Sequence, residues 1–171
     1  RNVVRFIDGA LPISRYIEGQ MAGQALRLWK ALAMLYVPIL VDTEEPFKHE
    51  VLSFKSPYVL FSGSVAYRKT IEFVLDAFSQ VSRGCPYLKL VLTGMDIGKH
   101  AWLREAVYAR GLEERTLFPG FISRDALLTA YRQAAALLIP LFGDTQSHAR
   151  SPTKLAEYLL AARPVVTNRV G

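Results

Sequence analysis

The 171-residue sequence predicts an α/β fold, a Rossmann-like parallel sheet flanked by helices. Three observations lead there. From Tyr58 onward, short apolar runs alternate with helical segments at regular spacing, the pattern of βαβ units joined by right-handed crossovers. Glycines fall at the ends of those runs, at Gly63, Gly94 and Gly120, where strands of such sheets give way to ligand-facing loops. Apolar residues make up 51% of the chain, enough to bury a substantial core.

Taken in order, VVRFID at residues 3–8 reads as a short strand. Ser14 is a helix N-cap, and Ile17, Met21, Leu28, Leu32 and Leu35 predict a long amphipathic helix from Arg15 to about Ala33. LYVPILVDTEEPF then reads as a strand interrupted by Pro38, followed by a surface loop whose Asp42, Glu44 and Glu45 belong to solvent. YVLFSGS is a strand ending in Gly63, TIEFVLDAFSQVS a helix, YLKLVLTG a strand ending in Gly94, and HAWLREAVYARG a helix closed by Gly111. RTLFPGF is the next strand, RDALLTAYRQA a helix and AALLIPL a strand. The last helix should start at Ser151, with Pro152 at its first position, and run to about Ala162 before Pro164 stops it. Leu155, Leu159 and Ala162 share one of its faces, and Val165, Val166 and Thr167 follow as a buried strand.

Composition removes several function classes. The formal charge of +6 favours phosphorylated ligands or an anionic membrane surface, but the Lys and Arg residues are scattered and form no nucleic-acid tract. No apolar run approaches the roughly eighteen residues of a membrane-spanning helix, and RNVVRFIDGA lacks signal-peptide architecture, so the expected location is cytoplasmic. The lone Cys85 has no disulfide partner and no metal-ligand spacing around it. The absence of GxxxxGK[ST] and of GxGxxG after any strand argues against a P-loop NTPase and a standard dinucleotide site.

Candidate site residues concentrate where strands meet helices. The helix beginning at Ser151 offers unpaired N–H groups and a positive dipole end to an anion, with Thr153 and Lys154 adding a hydroxyl and a cation. Glu157, one turn on, is placed to bond the hydroxyls of a nucleotide whose phosphates sit at the helix tip. The same residues also fit an ordinary capped surface helix with Lys154 and Glu157 as an exposed i,i+3 pair. Gly63, Ser64 and Lys69, the last read as preceding its helix, form a second phosphate candidate. Gly94 and Gly98 fit either close approach of a ligand or plain loop geometry. The segment PLFGDTQSHARSPTK reads as a loop carrying Asp144, Gln146, His148 and Arg150, with His148 more simply a solvated side chain.

The order SPTK, LAEYL and PVVTN resembles the donor-nucleotide helix and following strand of GT-B glycosyltransferases, specifically glycosyltransferase family 4, the glycosyl transferases group 1. The resemblance implies that Ser151, Pro152, Thr153 and Lys154 hold the diphosphate of a nucleotide sugar and that Glu157 grips its ribose. SGSVAYRKTIEFVLDAF is similar to the family segment whose basic residues embrace the same diphosphate. There Gly63 and Lys69 match, and Ser64 stands where arginine is usual. LFPGFISRDALLTAYRQA resembles the segment that meets the base through backbone, which implies base contacts at Phe121 and Ile122, with Gly94 beside them. Of the two glutamates the family places eight positions apart, Glu157 fills the second place and Ala149 the first, so no catalytic residue is assigned and Asp144 is a weak substitute.

The implied activity is that of a retaining glycosyltransferase, carrying sugar from a nucleotide diphosphate sugar to a glycan, lipid or small-molecule acceptor. A GT-B sugar epimerase or phosphorylase, or a degenerate nucleotide-binding or protein-interaction module, stays open beside it. No carboxylate cluster or DxD-like pair is evident, so no metal or other cofactor is expected. Residues 1–57 would be the end of an N-terminal acceptor domain and the interdomain crossing, and residues 58–171 an incomplete donor domain. A chain truncated at both ends would be inactive alone, could self-associate through open sheet edges and could meet a membrane surface peripherally.

Overall fold

A computed structural model describes residues 3–41, 54, 56–150 and 152–170. Asp42, Glu44, Glu45 and Ser151 lie outside the described residues. The chain divides into two compact units, one of Arg1–Asp42, Leu141–Ala156 and Arg169–Gly171, the other of Thr43–Pro140 and Glu157–Asn168.

The second unit holds the sheet. Strands β3 (Tyr58–Ser62), β4 (Lys89–Thr93), β5 (Thr116–Gly120), β6 (Ala136–Ile139) and β7 (Val165–Thr167) are all parallel, in the order β5-β4-β3-β6-β7. Counted from β3, that is the 3-2-1-4-5 order of a doubly wound sheet, in which strand order reverses between β3 and β6. The crossovers are the helices α2 (Arg68–Gly84), α3 (Ala101–Tyr108) and α4 (Arg124–Gln133), with α6 (Thr153–Leu160) leading into β7.

Alternation along the strands sends side chains to two helical layers. On one face Phe61, Leu90 and Leu92 pack with Ile71, Val74, Leu75 and Phe78 of α2 and with Leu103 and Val107 of α3. Burying each of these large side chains stabilises the fold by about 1.5–3 kcal/mol. On the other face the hydroxyl of Tyr58 donates to the carbonyl of Ala130 in α4 at 2.7 Å. There Tyr131 of α4 meets Tyr158 of α6 edge-to-face, ring centroids 4.7 Å apart. The α3 helix closes as expected at Gly111, which takes a φ of +62° while the Leu112 N–H reaches back to the Val107 carbonyl.

Several expectations need correction in this unit. Lys69 does not precede α2 but is its second residue, because the helix begins at Arg68. The face of α6 turned inward carries Tyr158, followed just past the helix by buried Ala161, leaving Leu155 and Leu159 exposed at 38% and 66%. Periodicity fixes the helical repeat but not which of two adjacent stripes meets the sheet. β7 is present but not buried: among the described residues it pairs with β6 alone, and Val166 is 56% exposed. Gly98 belongs to a short 3-10 turn, Ile97–Lys99, begun by the Asp96 carboxylate accepting from the Gly98 N–H.

The first unit also departs from its sequence pattern. Val3–Phe6 is a 3-10 turn rather than a strand, and the parallel ladder nearby pairs β1 (Gly9–Ala10) with β2 (Ala33–Met34). The predicted long helix is α1 (Arg15–Arg27), started by the Ser14 hydroxyl accepting from the Ile17 N–H. It stops early because Trp29 adopts a φ of +51°, letting the Lys30 N–H bond the Ala25 carbonyl and the Trp29 N–H bond that of Leu26. That closure is normally given to glycine, so no sequence cue marked it. The chain beyond Met34 forms no strand through Val41. The predicted loop at residues 140–154 contains a further short helix, α5 (Thr145–Ala149).

Candidate nucleotide-binding edge of the sheet

The carboxyl ends of β3, β4 and β5 form a floor made of backbone. The Gly63 N–H donates to the Thr93 carbonyl at 3.1 Å and the Gly94 N–H to that of Gly120 at 2.9 Å, so hydrogen bonding continues across all three predicted glycines. Gly94 has a φ of +78°, and a Cβ there would lie 2.5 Å from the carbonyl oxygen of Gly63. Gly120 shares the positive φ, at +70°, and turns the chain toward Phe121 and Ile122. Phe121 is 84% exposed and Ile122 half-buried.

Beside this floor β3 and β6 separate. Their ladder holds Val59 against Ala136 and Leu60 against Leu137. Two residues on, the Ser62 N–H donates to the hydroxyl of Tyr158 at 3.3 Å. The phenol of α6 therefore satisfies strand backbone at the point where strand order reverses, which is where open α/β sheets admit ligands. Burial raises the Tyr158 hydroxyl well above the ordinary tyrosine range and pushes that of Tyr131 up to about 12, so both stay protonated.

Glu157 precedes that tyrosine. Its Oε1 accepts from a guanidinium nitrogen of Arg124 at 3.2 Å, with the Glu157 side chain 21% exposed and that of Arg124 54%. Glu157 thereby joins α6 to α4. Arg124 was not singled out from the sequence. Its only signal there is its place as the first residue of α4, directly after Ser123, whose hydroxyl caps the helix by accepting from the Ala126 N–H. A contact between residues so far apart in the chain leaves no local trace.

Ser64 is exposed and shapes the turn into α2: its hydroxyl accepts from the Ala66 N–H and its carbonyl from the Tyr67 N–H. Lys69 is exposed in the first turn of α2. Pro152, Thr153 and Lys154 stand at the start of α6 and group with the first unit. In that unit Asp144 caps α5, its carboxylate accepting from the Ser147 N–H at 2.7 Å, while His148 stacks on Tyr16 with ring centroids 5.8 Å apart. Neither is simply a solvated loop residue, and Ala149 ends α5. Among the described residues no group of three or more His, Cys, Asp or Glu is placed to hold a metal ion, and no helix is long and apolar enough to cross a membrane.

A parallel sheet in this order has counterparts among known proteins. The family model described as glycosyl transferases group 1 matches residues 56–171. The chain belongs to that family. An uncharacterized glycosyltransferase of Methanocaldococcus jannaschii is 27% identical over 113 residues, covering 66% of this chain and 27% of its own length. The chain thus spans about a quarter of that relative.

Solved GT-B glycosyltransferases share the fold. A Staphylococcus aureus TarM variant, crystallised with fondaparinux, alpha-GlcNAc-glycerol and UDP, aligns with a TM-score of 0.71 at 12% identity, over 99% of this chain and 31% of its own. Sucrose-phosphate synthase from Thermosynechococcus elongatus aligns at 0.68 and 22% identity, over 99% of this chain and 42% of its own. The pneumococcal O-GlcNAc transferase GtfA, in complex with UDP and GlcNAc, aligns at 0.66 and 16%, over 96% and 31%.

Proposed function

We propose that this glycosyl transferases group 1 chain is the donor-binding part of a retaining glycosyltransferase that moves sugar from a nucleotide diphosphate sugar to an acceptor hydroxyl. The observation that carries the reading is the backbone floor at Gly63, Gly94 and Gly120 beside the β3–β6 switch point, the strand ends at which open α/β sheets bind ligands. Two neighbours of the same fold were crystallised with UDP, which is consistent with it.

In this reading the bond from the anomeric carbon to the leaving diphosphate breaks as the acceptor oxygen bonds that carbon, and the acceptor hydroxyl's proton passes to the departing diphosphate oxygen. Lys69, Lys154 and the N–H groups at the start of α6, with Ser151, Pro152 and Thr153, would take up the charge that develops on the diphosphate. Ser64, without a guanidinium, contributes hydroxyl and backbone only. Glu157 would accept from the ribose hydroxyls, and the backbone after Gly120, at Phe121 and Ile122, would meet the base. The scheme requires no metal. Residues 1–57 would then close the acceptor domain and residues 58–171 supply the donor domain.

Calorimetric titration of UDP, GDP and ADP into the chain and into Glu157→Ala, at one salt concentration, tests this. We expect one nucleotide to bind selectively and the substitution to weaken it about 10- to 100-fold, as for loss of hydrogen bonds to a charged group. Binding of none of them, or binding indifferent to Glu157, would overturn the reading.

A further inference from the structure

The Arg124–Glu157 pair does more than join two helices. As an ion pair with a half-exposed guanidinium it adds at most about 1 kcal/mol to stability, and the helices it links are already fixed. Tyr131 and Tyr158 lock α4 to α6 through their ring contact, and Tyr58 ties α4 to the sheet through the Ala130 carbonyl. Arg124 follows the Phe121–Ile122 segment after one intervening residue, and its guanidinium reaches the carboxylate assigned above to the ribose.

We propose that Arg124 is a positioning residue for ribose recognition, holding the Glu157 carboxylate in one orientation and joining it to the segment that meets the base. This rests on the nucleotide reading above. The chemistry is permissive. An ionised carboxylate offers about four acceptor sites, and the Arg124 bond at Oε1 uses one, leaving Oε2 and the rest for a pair of vicinal hydroxyls. Without the guanidinium, a carboxylate on a three-torsion side chain would sample several rotamers, and the diol would have to order it on binding.

The test compares UDP, GDP and ADP with their 2′,3′-dideoxy forms, titrated into the parent chain, Glu157→Ala, Arg124→Ala and Arg124→Lys. Circular dichroism verifies that each variant is folded. We expect the parent to prefer its ribonucleotide over the dideoxy form by 10-fold or more, Glu157→Ala to bring that ratio near one, Arg124→Ala to lower it at least threefold, and Arg124→Lys to restore part of it. A merely structural role would weaken both forms equally and leave the ratio unchanged. An unchanged ratio in Arg124→Ala, with the ratio lost in Glu157→Ala, sinks the inference while the nucleotide reading stands. A parent chain that binds no nucleotide sinks both.

Discussion

Gly94 is the residue on which the sheet edge turns. Its positive φ and the 2.5 Å distance from a would-be Cβ to the Gly63 carbonyl oxygen act together, and the contact is with backbone, which cannot swing away. Gly94→Ala should therefore destabilise the fold by about 2–3 kcal/mol. Gly111 also has a positive φ, +62°, but open space around it, so Gly111→Ala should lose only about 1 kcal/mol. Urea denaturation of the two variants reads the difference, and equal losses would mean that the close approach adds nothing. That strand-end glycines matter was legible in the sequence. That Gly94 and not Gly63 carries the constrained φ was not, because the constraint comes from the neighbouring strand. Trp29 and Ala162, at φ of +51° and +53°, end α1 and α6 in the conformation glycine usually takes, and side-chain identity gave no hint of either.

Among the elements, α6 shows how a helix is tied to a strand end. Its Tyr158, fully buried, accepts from the Ser62 N–H where β6 no longer pairs with β3. Tyr158→Phe keeps the ring but removes the hydroxyl that accepts from that N–H, and should lower stability by about 1–3 kcal/mol. Urea denaturation with an unchanged midpoint would show that the hydroxyl is dispensable. The sequence marked this helix and its two ends to within a few residues through Pro152 and Pro164. It misjudged the inward stripe because Leu155 and Leu159 are as regularly spaced as Tyr158 and Ala161. Hydrophobicity favoured the leucines; the chosen pair instead offers a hydroxyl where the strand needs an acceptor. The βαβ alternation from β3 to β6 was legible because short apolar runs recur there between amphipathic helices, with the two central strands β3 and β4 almost wholly buried. The short elements of the first unit had no such run: α1 fully buries only Ala25, and β1 and β2 have two residues each.

At the scale of the whole molecule, the buried tyrosines set an alkaline limit. Burial raises the hydroxyls of Tyr58 and Tyr131 to about 12, against about 10 in an unfolded chain, and moves that of Tyr158 in the same direction. Between those values the native state holds protons that the unfolded state has released. The stabilisation is thus complete below about pH 10 and is lost as pH rises toward 12, amounting to a few kcal/mol. Urea midpoints measured from pH 8 to 11.5 should fall steeply above 10, with part of the phenolate absorbance of the eight tyrosines appearing only on unfolding. A flat profile would contradict the burial of these groups. The floor at Gly63, Gly94 and Gly120 bears differently on how such a protein changes over time. Because it presents main chain, point substitution has no side chains there to exchange. On the nucleotide reading proposed above, an altered donor preference would have to come from the segments around it, above all Phe121 to Arg124, and new specificities could then arise while the scaffold beneath them is left untouched.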